Sequence, residues 1–78
     1  MANVELVVKR NPYTGGYTTQ FTKNNELYSA ALYSTGYMNE CTIFRVEDLK
    51  DGEPVYMAWP YSVSESMLRK CVADFMNE

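Results

Sequence analysis

Polar and apolar residues alternate with a period of two through most of the chain, then switch to helical spacing near its end. In the first stretch Val4, Leu6 and Val8 oppose Glu5, Val7 and Lys9, which predicts a strand over residues 3–10 with one buried face. Asn11-Pro12-Tyr13-Thr14-Gly15-Gly16 then reads as a turn, because proline fixes φ and glycine is free to take positive φ. Residues 17–23 resume the period, with Tyr17, Thr19 and Phe21 against Thr18, Gln20 and Thr22.

Lys23-Asn24-Asn25-Glu26 follows. A two-residue Asn-Asn loop suits the primed turn that hairpins prefer, and it places Lys23 opposite Glu26 as a cross-strand charge pair. The implied register sets Phe21 against Tyr28, Thr19 against Ala30 and Tyr17 against Leu32, all on one side of the sheet. This predicts a third strand over residues 27–33. A helix over 26–35, capped by Asn24 or Asn25 and stopped at Gly36, is the competing reading.

Residues 34–40 form a polar connection that carries Tyr37 and Met38. Residues 41–49 are rich in β formers, and Lys50-Asp51-Gly52-Glu53 holds the Asp-Gly pair of a type I′ turn. That hairpin would pair Val46 with Met57 and Phe44 with Trp59 on a common apolar face. Pro54 cannot donate a ladder bond and fits an edge position or a strand start. Pro60 marks the break before a helix. Ser62-Val63-Ser64-Glu65 reads as a capping box. Val63, Met67, Leu68, Cys71, Val72, Phe75 and Met76 then share one helical face, and Glu65 and Arg69 form a favourable i,i+4 pair on the other.

The expected fold is α+β: a single domain over residues 1–78, with an antiparallel sheet of four to five strands in two hairpins. One C-terminal α-helix packs on one face. The other face is expected to be open and polar, carrying Thr18, Gln20, Thr22, Ser29, Arg45, Glu47 and Tyr56.

Composition narrows the function. The chain has seven tyrosines in 78 residues and no histidine. Tyrosine buries a large ring at low rotamer cost and keeps a hydroxyl for wet contacts, so it suits an interface. Without histidine there is no ready proton shuttle near neutral pH and no common metal ligand. A net charge of −3 argues against a general nucleic-acid or anionic-membrane binder. No apolar run approaches the roughly 20 residues of a spanning helix. Met1-Ala2-Asn3-Val4-Glu5 has no basic stretch followed by an apolar core, so no export signal is expected and the cytoplasm of a host cell is the expected compartment. Cys41 and Cys71 are then read as reduced, buried thiols, with no histidine to activate either for catalysis.

Tyr13, in the first loop, and Tyr37, in the central connection, lead a candidate contact surface, with Tyr33, Tyr56 and Tyr61 near strand ends or on the second face; the alternative is a scatter of amphipathic surface residues. Glu40, Glu47, Asp48, Asp51 and Glu53 form an acidic cluster that would complement a basic groove, or would simply keep a hairpin soluble. Glu47 and Asp48 are adjacent in a predicted strand and point to opposite faces, which does not suit paired-acid catalysis. Lys9, Arg10 and Arg45 are the one hint of a basic spot. No cluster has metal-ligand spacing, and no cofactor is expected.

Asn11-Pro12-Tyr13-Thr14-Gly15-Gly16-Tyr17 resembles an Asn-Pro-x-x-Gly-Gly-aromatic hairpin in a family of small phage-encoded type I-F anti-CRISPR proteins. Leu49-Lys50-Asp51-Gly52-Glu53 resembles a turn near the end of the same family. The chain departs from that family at Thr18, Thr19 and Gln20, where the family is more acidic, and in its helix at 62–77. The resemblance implies a compact acidic protein that blocks a CRISPR effector by occupying its DNA-binding surface. Ala58-Trp59-Pro60, followed by a polar cap and a helix, is similar to the septation-regulator family of bacterial nucleic-acid-binding proteins.

The leading expectation is therefore a non-enzymatic inhibitor of a bacterial defence protein, a monomer or homodimer. Its expected contact residues are Tyr13, Tyr37, Glu47, Asp48, Asp51 and Glu53. The rival is a nucleic-acid-binding regulator that uses Thr18, Gln20 and Arg45 on the open face. A self-associating module with an exposed strand edge is the third reading.

Overall fold

A computed structural model describes residues 6–78. Five antiparallel strands lie in chain order as a meander: β1 Lys9–Arg10, β2 Tyr17–Lys23, β3 Glu26–Ser34, β4 Asn39–Arg45 and β5 Tyr56–Ala58. A 3-10 turn, Val46–Asp48, follows β4, and helix α1, Glu65–Met76, crosses β2, β3 and β4. Residues 3–5 of the expected first strand lie outside the described residues. Of the remainder, Leu6 and Val8 pack toward the core and Val7 points away, as the alternation implies, but the ladder begins only at Lys9.

The β2–β3 hairpin follows from its own turn chemistry. Asn24 and Asn25 take φ of 52° and 67°, the left-handed region a primed turn requires. Lys23 pairs with Glu26, Phe21 with Tyr28, Thr19 with Ala30 and Tyr17 with Leu32. Residues 26–34 are strand, so the competing helix is excluded.

The β4–β5 connection corrects the expected hairpin. The ladder pairs Cys41 with Ala58, Thr42 with Met57 and Ile43 with Tyr56, rather than Val46 with Met57 or Phe44 with Trp59. Neither Asp51 nor Gly52 takes the positive φ of a type I′ turn. Instead the chain coils after Arg45: Leu49 N–H donates to Val46 O at 3.3 Å and Gly52 N–H to Asp48 O at 2.7 Å. Arg45 Nε donates to Asp48 Oδ2 at 2.9 Å and holds the coil shut. Gly52 is needed there because a Cβ would sit 2.4 Å from Asp48 Cβ. Strand pairing therefore ends four residues earlier than predicted, and Cys41 and Ile43 take the inward face.

The helix cap is also shifted. Ser64, not Ser62, is the N-cap, and its Oγ accepts from Met67 N–H at 3.3 Å. Glu65 is the first helical residue and pairs with Arg69 at 2.9 Å. The inward face of α1 is the predicted one, with Leu68, Cys71, Val72 and Phe75 buried.

The core lies between this face and Phe21, Ala30, Leu32, Cys41 and Ile43. Phe75 closes its lower end. Its ring stands edge-on to Tyr28 at 5.0 Å and to Phe21 at 6.0 Å, and Tyr56 reaches in from β5 at 5.8 Å. Lys23 Nζ sits 4.3 Å above the same ring and donates to Phe75 O at 2.7 Å, pinning the helix end to the sheet. Among the described residues no buried side-chain polar atom lacks a partner.

The second face of the sheet is open but not uniformly polar. Thr18, Gln20, Thr22 and Ser29 lie on it as expected. Arg45 and Tyr56 do not, because register puts both on the helix side, and Glu47 belongs to the 3-10 turn. Ala31, Thr42, Phe44 and Met57 occupy the β4–β5 half instead.

Candidate functional site: an aromatic end of the sheet

A meander sends alternate turns to opposite ends. The turn at 11–16, the turn at 35–38 and the chain leaving β5 gather at one end. The Asn24-Asn25 turn and the 46–55 connection gather at the other. At about 3.3 Å per residue, β2 holds the two ends roughly 20 Å apart.

The first end is aromatic. Tyr13 and Tyr37 are each 96% exposed and Tyr61 is 89% exposed, with Trp59 and Met38 beside them. The sequence reading chose Tyr13 and Tyr37, and the meander brings both to this end. Tyr61, read as lying near a strand end, is at this end too, whereas Trp59 was missed as a contact residue and Tyr56 turns to the core instead. The available signal was Trp59-Pro60-Tyr61, an aromatic on either side of a residue that terminates pairing.

These tyrosines stand on ordered backbone. Asn11 Oδ1 accepts from Tyr13 N–H at 2.9 Å, Asn11 O accepts from Gly15 N–H at 2.8 Å, and Gly15 takes φ of 73°. In the other turn Thr35 Oγ1 accepts from Tyr37 N–H at 3.4 Å and Met38 N–H at 3.3 Å, and Gly36 takes φ of 96°. Side-chain bonds to nearby amides fix such turns locally. The backbone that carries each ring is thus ordered before contact, which lowers the cost of binding.

Between the first turn and the top of β3 lies a shallow groove of about 220 Å³, lined in part by Asn11, Thr14, Tyr17, Ala31 and Tyr33. Tyr33 Oη donates to Glu40 Oε2 at 2.6 Å. That bond, followed by burial, raises the Tyr33 pKa above its usual value and commits its proton to Glu40.

The second end is acidic. Glu47, Asp51 and Glu53 are exposed there, but Asp48 is engaged by Arg45. Arg45 also lies 3.8 Å from Glu26 and 3.9 Å from Glu47, and the Asp48 charge leads the causes that raise its pKa. The expected basic spot is therefore not assembled: Arg45 belongs to this acidic end, whereas Lys9 and Arg10 lie on the far edge strand. Glu47 and Asp48 share a 3-10 turn rather than a strand, and both face Arg45. The six expected contact residues thus divide into an aromatic pair and an acidic group at opposite ends.

Cys41 and Cys71 are free and buried between β4 and α1. Burial raises both thiol pKa values, and the Cys71 thiol pushes Cys41 the same way. Alkylation of the native protein at pH 8 should be slower than that of the urea-unfolded chain by roughly 10³-fold or more, since reaction requires opening of the core. Mass spectrometry of a timed quench measures the ratio; comparable rates would contradict the packing of α1 on β4.

Among the described residues, no group of three or more His, Cys, Asp or Glu is placed to hold a metal ion, and no helix is long and apolar enough to cross a membrane. No family model matches the chain, and no curated protein or solved structure matches it.

Proposed function

We propose that this chain is a non-enzymatic binding protein that seats its aromatic end on a protein partner and blocks it. The partner we propose is a component of a bacterial defence system in the host cytoplasm, with a CRISPR effector favoured by the sequence resemblance. The observation that supports binding is the gathering of Tyr13, Tyr37, Trp59 and Tyr61, all exposed, at one end, the first two on hydrogen-bonded turns. Exposed aromatics concentrated in one place are the usual anchors of a protein interface. The acidic end supplies a field that orients approach to a basic surface and should act on association rate and salt dependence.

A tagged pull-down from a CRISPR-bearing host lysate, with and without nuclease, tests this reading. A stoichiometric protein partner that survives nuclease supports it. Recovery of nucleic acid alone would replace it with a nucleic-acid-binding regulator. With the partner in hand, Tyr37→Ala should weaken binding by more than about 1 kcal/mol without altering the fold. Unchanged affinity in a titration would remove Tyr37 from the site.

A further inference from the structure

The two edges of the sheet are built differently. β1 is two residues long, and both, Lys9 and Arg10, are cations. β5 lies within Pro54-Val55-Tyr56-Met57-Ala58-Trp59-Pro60, a stretch with no charge. An unprotected edge offers unpaired N–H and C=O groups to another strand, and charge is the common protection. Helix α1 lies over β2, β3 and β4 and meets β5 through the inward Tyr56 ring, and among the described residues no backbone hydrogen bond outside the sheet reaches residues 56–58. Exposure alternates along that edge. Val55, Met57 and Trp59 are 43%, 39% and 59% exposed, while Tyr56 and Ala58 pack toward the core. Pro54 and Pro60 have no N–H to donate, so they limit any new ladder to the five residues between them.

We propose that this edge pairs with the same edge of a second copy of the chain, antiparallel about Met57. The stretch is complementary to itself in that register. Val55 of each copy falls opposite Trp59 of the other, and β-branched with aromatic is a favourable cross-strand pair. Tyr56 falls opposite Ala58, large against small. The antiparallel sense also keeps like charges apart. Each acidic 46–53 connection lies beside the other copy's aromatic end, whereas a parallel pair would place the two acidic connections together. The contact is two-fold and closed. Among the described residues, the joined sheet ends on Lys9 and Arg10 at both sides, and those cations oppose further addition. The two aromatic ends then point in opposite directions, so the dimer would present two partner sites.

Sedimentation of the full chain from about 1 µM to about 1 mM should show a monomer–dimer equilibrium. The outward-facing, alternate amides of residues 56–58 should gain hydrogen-exchange protection as concentration rises, while those paired with β4 stay as they are. Met57→Lys places two cations at the two-fold axis and should raise the dimer dissociation constant more than ten-fold, with the exchange of core amides unchanged. Val55→Lys, on the same face of the edge and outside the aromatic end, serves as the second variant if Met57→Lys does not fold. A strict monomer at the top concentration overturns the proposal. So does a dimer that both lysine variants leave intact, or one without concentration-dependent protection at 56–58. Growth beyond two copies overturns the closed arrangement. Trp59 belongs to both surfaces, so the partner site is read through Tyr37→Ala and the dimer through Met57→Lys, residues that only one of the two readings uses, and either result can fail alone.

Discussion

Phe75→Ala is expected to cost about 3–5 kcal/mol, the usual loss for a buried phenylalanine. A domain of this size has roughly 4–12 kcal/mol in total, so the variant should be near the edge of folding at 37 °C. The reason is the number of elements that meet on one ring. Phe21 from β2, Tyr28 from β3 and Tyr56 from β5 all lie within 6.0 Å of it, centroid to centroid. Lys23 Nζ also loses the face it covers at 4.3 Å. No neighbour is placed to fill the gap, because the surrounding rings are held by their strands. Urea unfolding followed by far-ultraviolet circular dichroism would read the loss as a midpoint lowered by about 2–4 M. A loss below about 1 kcal/mol would show that the helix end does not close the core.

Gly16→Ala is expected to cost more than Gly15→Ala, although only Gly15 has positive φ. A Cβ at Gly16 would sit 2.7 Å from Leu32 O and 3.2 Å from Tyr33 Cβ. Leu32 is in the middle strand and is paired on both sides, so it cannot yield. The first turn must move instead, at about 1–3 kcal/mol for overpacking. A Cβ at Gly15 meets nothing within 4 Å, and its cost is the left-handed conformation alone, about 1 kcal/mol. The pair also separates stability from binding. Gly16→Ala displaces the turn that carries Tyr13 and should weaken partner binding, whereas Gly15→Ala should leave binding near wild type. Equal or reversed losses on chemical unfolding would refute the close approach of turn and strand.

The two hairpins show where local sequence suffices. For β2–β3, Asn24-Asn25, the Lys23/Glu26 pair and the apolar alternation all favour one register, and each acts within a few residues. For β4–β5, the Asp51-Gly52 pair favours a tight turn, but the tertiary contacts favour something else. Arg45 draws in Asp48, Glu47 and Glu26, the last from a neighbouring strand, and the backbone coils around that arrangement. The inward turn of Cys41 and Ile43 is fixed by Leu68, Cys71 and Val72, which lie more than twenty residues on in the chain. No window along the sequence contains both sets.

The candidate site divides in the same way. Tyr13 and Tyr37 were readable as exposed because each sits in a turn defined by its neighbours. That they share an end with Trp59 and Tyr61 depends on the number of strands and their order. Glu47, Asp48, Asp51 and Glu53 were readable as a cluster because they are close in sequence, but Glu40, placed with them, lies at the start of β4 at the aromatic end and bonds Tyr33. Their separation from the tyrosines depends on the length of the strands between the turns.

Chain order also sets a sequence of events during synthesis. The strands emerge first, and each of their hairpins can close locally, but the apolar face they make has no cover until α1 follows. From Ala58 to Phe75 the ribosome needs about 1–3 s at 5–20 residues per second. Hairpins form within microseconds, so the strands can pair before α1 docks, and until it does Leu32, Cys41 and Ile43 have no cover. The nascent chain is at its most vulnerable to chaperone capture and to misassociation then, and docking of the Phe75 ring beneath Lys23 ends that exposure.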